Sequence, residues 1–142
     1  MATYVKFNAF VENQTIAKID WDSDTFKVCL SNTAPNAASN AVLADITQIS
    51  AGSGYTSGGT AVTVSTSRTN GTMTVSATQA VFTSTGTLGP FQYAILYDDT
   101  VTTPSKPLVA YWDYGAPVTL NNTETFTVKF NNASPGTIFT LI

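Results

Sequence analysis

One short stretch limits the possible folds more than any other: TAVTVSTSR, then TNGT, then MTVSATQA, running from Thr60 to Ala80. Asn70-Gly71 suits the two positive φ angles of a type I′ turn, whose twist matches that of the strands it joins. Counting outward pairs Arg68 with Met73, Thr66 with Val75 and Val64 with Ala77, which makes one face largely apolar with Arg68 near the tip. Thr63, Ser65, Ser67, Thr74, Ser76 and Thr78 fill the other face. A slip of one residue would turn the apolar set toward water, so turn and pattern demand the same register.

The same period of two recurs along the chain. Phe26, Val28 and Leu30 alternate with Lys27, Cys29 and Ser31, which places Cys29 inside a strand. Phe91 to Tyr97 (FQYAILY) is apolar at nearly every position and reads as a central strand covered on both faces. Leu108 to Tyr114, Val118 to Leu120, Phe126 to Phe130 and Ile138 to Ile142 are further strands, separated by Gly, Pro and Asn. Residues 5 to 14 fit a helix slightly better than a strand, so residues 1–20 are expected to form a helix or an arm. Leu43, Ile46 and Ile49 are spaced as in a helical turn or an irregular edge strand, and AGSGYTSGG reads as a flexible surface loop. About eight short strands and at most one or two short helices predict a single all-β domain over 1–142, an antiparallel β-sandwich of jelly-roll or immunoglobulin-like type.

Composition narrows the chemistry. The chain holds no histidine and one cysteine, which removes the imidazole base, the histidine metal ligand, the internal disulfide and the thiolate zinc site. Only 11% of its residues are charged, and the polarity comes instead from 25 Thr, 12 Ser and 10 Asn. Six scattered Lys and Arg at a net charge of −3 form no patch able to neutralise several phosphates, so nucleic acid is not an expected partner. MATYVKFNAF lacks the basic and apolar regions of a secretion signal, and no stretch approaches 18 apolar residues; synthesis in a cytosol and no membrane partner are expected.

Three groupings invite functional readings, each with a plainer alternative. Asp20, Asp22 and Asp24 alternate as at the start of a calcium loop, but Thr25 stands where the EF-hand glycine belongs and Ser31 where its bidentate Glu belongs. The plainer reading is a solvated turn with Trp21 folded onto the core. Asp98, Asp99 and Asp113 would serve a glycosidase only if two of them faced each other across a cleft, whereas Asp is also a common turn former. Tyr111, Trp112 and Tyr114 in AYWDYG offer a sugar-stacking platform, yet in a strand Trp112 and Tyr114 share one face and Tyr111 takes the other, so at least one side packs inward. No catalytic, cofactor or metal residue is assigned from these patterns, and no enzyme is expected.

SDTFKVCLSNTAP, LADITQISAGSGYTSGGTAVTV, and YWDYGAPVTLNNTETFTVKF followed by GTIFTLI together resemble small structural proteins of tailed bacteriophages, over nearly the whole of Tyr4 to Ile142. The resemblance implies a virion component, and more narrowly a β-sandwich that decorates or cements the capsid exterior as a homodimer or homotrimer. Its implied partners are the major capsid protein and further copies of itself, and its implied location is the capsid surface. The apolar N-terminal segment around Tyr4, Phe7 and Phe10, with Tyr111 and Trp112, supplies the candidate contact residues. A tail-associated receptor- or carbohydrate-binding module is the alternative expectation.

Overall fold

The computed structural model describes residues 2–142. In chain order the elements are β1 (Thr3–Lys6), α1 (Asn8–Thr15), β2 (Phe26–Ser31), a 3-10 turn (Leu43–Asp45), β3 (Thr60–Val62), β4 (Val64–Thr69) and β5 (Thr72–Ala77). There follow β6 (Ala80–Thr83), β7 (Leu88–Asp98), β8 (Leu108–Leu120), β9 (Thr125–Val128) and β10 (Gly136–Leu141). Every strand pairing is antiparallel.

β7 lies at the centre of a five-stranded sheet of order β1-β8-β7-β2-β3. Ala94 and Leu96 point to one face and Ile95 and Tyr97 to the other, and all four are fully buried, as a continuous apolar run requires. The Ala94 face meets a second layer made of the sheets β10-β5-β4 and β6-β9. Aromatic pairs close that interface: Trp112 with Phe130 at 4.9 Å, Phe91 with Phe126 at 4.8 Å, and Trp21 with Phe139 at 5.3 Å between ring centres. The architecture is therefore the expected antiparallel sandwich, with ten strands.

The Tyr97 face needs its own cover, and the long excursion between β2 and β3 provides it. Leu108 N–H donates to the Ala41 carbonyl (3.0 Å), Ile49 N–H to the Leu30 carbonyl (3.0 Å) and Tyr97 Oη–H to the Gly58 carbonyl (2.7 Å). The glycine-rich stretch is thus packed in place and not a free surface loop, because Tyr55 within it is 3% exposed and accepts from Leu30 N–H while donating to Gln48 Oε1. Gly59, at φ +81°, passes so close to β2 that a Cβ there would collide with the Val28 carbonyl.

The hairpin forms in the register read from the sequence, with Arg68 opposite Met73, Thr66 opposite Val75 and Val64 opposite Ala77. Its two-residue loop departs from type I′: Asn70 takes φ 54°, but Gly71 takes no positive φ. At the N-terminus both readings of residues 5–14 hold in part, since a strand runs to Lys6 and a helix begins at Asn8. An eight-residue helix is too short to stand alone. It is held by docking, through Phe7 N–H to the Val109 carbonyl (3.1 Å), Asn8 N–H to the Ala37 carbonyl (2.9 Å), and the buried Phe10 against Trp21 and Phe139.

Gly59→Ala combines a strained φ with a backbone collision and is expected to lower stability by at least about 2 kcal/mol. Gly71→Ala, with open space around the new Cβ and no positive φ, should change it by less than about 1 kcal/mol; urea unfolding of the two variants measures the contrast.

Candidate functional site

The residues singled out from the sequence separate by burial. Phe7 is fully buried, Phe10 is 4% exposed and Trp112 6%, so these three are core residues of the folded chain. Their alternation explains this: Trp112 lies opposite Ala94 and Tyr4 on the face that meets the second layer, and Phe7 enters the other side beside Tyr111, 5.4 Å between ring centres. Tyr111 is half-buried, and Tyr4 is 39% exposed. The reachable part of the predicted contact set is therefore Tyr4 with the edge of Tyr111.

Tyr4 stands at a free sheet edge, because β1 is the last strand of the five-stranded sheet, and β10 is the last strand of the sheet facing it. Between these edges opens a groove of about 330 Å³, with Tyr4, Trp112 and Phe139 in its wall and Lys129, Asn131 and Asn132 among the polar residues lining it. The Tyr4 and Trp112 rings meet at 5.5 Å and 60°, so the core aromatic fixes the exposed one. Burial also pushes the Tyr4 phenol above its ordinary pKa.

The elements that border this groove, with α1 beside them, carry most of the exposed large apolar residues. Six large apolar residues are exposed among the described residues, and five of them, Tyr4, Val11, Ile16, Leu141 and Ile142, belong to β1, α1, β10 or the residue just beyond an end of one of these elements. These elements adjoin one another, α1 and β10 through Phe10 and Phe139 at 5.5 Å and β1 and β10 across the groove. Only Val81, on β6, lies elsewhere. Periodicity misses this grouping, since β1, α1 and β10 are brought together only by the fold.

The acids singled out from the sequence do not form a pair facing each other across a cleft. Asp98 and Asp113 point to opposite faces of the sheet, five positions or roughly 17 Å apart along β7. Asp113 accepts from Gln92 Nε2–H (2.9 Å) and Gly115 N–H (2.8 Å). Burial works against the charge of Asp99, but ion pairs to Lys106 (2.9 Å) and Lys27 (3.1 Å) outweigh it and hold its pKa low. Asp20 and Asp24 are used within their own turn: Asp22 N–H donates to Asp20 Oδ1 (2.9 Å), Ser23 Oγ–H to Asp20 Oδ2 (2.8 Å) and Asp20 N–H to Asp24 Oδ2 (2.8 Å). Among the described residues no three acidic or thiol groups are placed to hold a metal ion. Cys29 is wholly buried, and burial pushes its thiol up to about 12, which makes it an inert core residue.

The aromatic platform is likewise committed inward. Trp112 packs on Phe130, and Tyr114 packs on Phe126 at 4.9 Å, its phenol pushed up to about 12 by burial. Among the described residues no helix is long and apolar enough to cross a membrane. Comparison with protein-family models, with curated proteins and with solved structures finds no match.

The division between core and reachable aromatics is measurable. Trp112→Ala is expected to cost about 3–5 kcal/mol of stability, and Tyr4→Ser only about 1 kcal/mol, both read by chemical denaturation.

Proposed function

We propose that this chain is a non-enzymatic virion structural protein of a tailed phage, a capsid decoration or cement protein that binds the outer surface of the major capsid protein lattice and stabilises the head. The observation that carries the reading is the apolar side formed by β1, α1 and β10, where five of the six exposed large apolar residues gather. Exposed large apolar residues concentrated on adjoining elements of a small domain favour an interaction surface there. The phage-like segments from Ser23 to Pro35, Leu43 to Val64, Tyr111 to Phe130 and Gly136 to Ile142 supply the identity of the partner.

In this reading the mechanism is burial of Tyr4, Val11 and Leu141 at seams between capsid subunits. Burial of a side chain of this size is worth roughly 1.5–3 kcal/mol when complete, so a few such contacts per copy suffice when many copies bind one lattice. Self-association as a homodimer or homotrimer multiplies each contact further. A surface with few charges carries a small desolvation cost on docking to protein. The receptor- or carbohydrate-binding alternative keeps its Asn- and Thr-rich loops but is weakened at the Trp112 and Tyr114 platform, since both rings pack inward.

Particles assembled without this protein should release DNA or break at a lower temperature than complete ones, and added protein should restore them. Tyr4→Asp and Leu141→Asp should abolish that rescue while Val81→Asp, on β6 and outside these three elements, retains it. Particles equally stable with and without the protein would contradict cementing, and binding to host cells or glycans instead of heads would favour the tail reading.

A further inference from the structure

Two turns at one end of the sandwich are laced together: the turn leading into β2, residues 20–25, and the turn leaving β7, residues 98–101. Asp99 N–H donates to the Thr25 carbonyl (2.8 Å), and Thr25 N–H donates to Thr100 Oγ1 (2.8 Å). Asp98 lies in this junction and is fully buried. Its Oδ1 accepts from Thr100 N–H (2.8 Å) and Val101 N–H (3.2 Å), as a turn-forming Asp should. Its Oδ2 is buried and has no donor. The group within hydrogen-bonding reach is a second acid, Asp24.

A buried carboxylate oxygen facing another carboxylate is costly unless a cation or proton lies between them. The charged groups around the pair do not supply one. Lys27 from β2 and Lys106 from the following loop are both engaged by Asp99, while Asp20 and Asp22 on the first turn add negative charge. A hard divalent ion takes six or more oxygens, and the other two acids of that turn are directed elsewhere: both Asp20 oxygens accept within the turn, and Asp22 brings no third carboxylate to the pair.

We propose that Asp24 and Asp98 share one proton across this junction, and that the shared proton latches the Trp21 turn, with α1 behind it, onto the end of β7. Trp21 is what the latch holds. Its ring lies flat on Phe26 at 4.4 Å and 2°, touches Phe10 and Phe139, and its Nε1–H donates to Gln14 Oε1 on α1. Loss of the proton leaves two carboxylates in contact and loosens the turn that joins α1 and β10, two of the three elements of the apolar side.

Desolvation, then the hydrogen bond to Asp24, raise the Asp98 pKa to about 7. In the unfolded chain the same group ionises near its ordinary value, around 4. The folded chain therefore binds the extra proton between these values, and the stability it brings is complete below the lower one and lost as pH rises through the upper one. With no histidine in the chain and Cys29 pushed up to about 12, only the α-amino group shares this window, and it is common to all variants.

The melting temperature of the full chain should fall by about 5–10 °C between pH 5.5 and 8.5. Amide exchange at Thr25 and Asp99 should accelerate over the same interval. Asp98→Asn keeps an acceptor for Thr100 and Val101 and gives Asp24 a permanent donor, so its melting temperature should be the same at both pH values; Asp24→Asn should behave alike. Carbon-13 NMR of the wild-type carboxyls gives a readout independent of any variant, with the Asp98 carboxyl titrating near neutrality. All aspartates titrating below pH 5, or an unchanged pH slope in folded Asp98→Asn, would overturn the proposal. Recovery of the pH 8.5 melting temperature by millimolar calcium would also overturn it, by assigning the pair to a metal ion.

Discussion

The demand that β7 be covered on both faces organises this protein. A run of Ala94, Ile95, Leu96 and Tyr97 with no exposed position cannot sit in a simple two-layer sandwich whose outer faces are wet. The second layer buries one face. The other is covered by 28 residues of chain between β2 and β3 that contain only one short 3-10 turn, and irregular chain can be buried there only because its polar groups find partners in the strands beneath. Tyr55, Gln48 and Tyr97 provide them, joining the loop to the Leu30 amide and the Gly58 backbone. Cys29 is inert for the same reason: it belongs to the face that the excursion closes off.

Where a local rule and a packing rule agree, the sequence can be read residue by residue. The β4–β5 hairpin has a turn dipeptide and a period of two that require the same pairing, and its register follows. FQYAILY announces a doubly buried strand through its lack of polar positions. Elements depending on distant partners are less legible. β8 runs unbroken from Leu108 through Gly115 to Leu120 because β7 extends beneath it from Leu88 onward, whereas the local pattern suggests two strands. β6 is four residues long and exists through its pairing with β9.

The candidate site shows the same limit. Tyr4, Phe7 and Phe10 are equivalent as aromatic residues near the N-terminus, and only the change from β1 to α1 at Asn8 decides that Tyr4 is reachable while the other two are core. Asp98 reads locally as a turn former, which its Oδ1 is. The orphaned Oδ2 depends on Asp24, distant in sequence, being brought alongside by the β2–β7 pairing that sets Phe26 opposite Asp98. Scarcity of charge is the property that links these features. In a chain with so few ionisable groups, the informative positions are the few where an apolar side chain is left outside or an acid is taken inside.

Electron microscopy of phage particles assembled with this protein is the most direct test of the proposed function. A ten-strand sandwich on the outside of the head, seated over seams of the major capsid protein with the side formed by β1, α1 and β10 turned toward the shell, is the predicted result. Density for the protein at the tail, or its absence from the particle, would contradict the account.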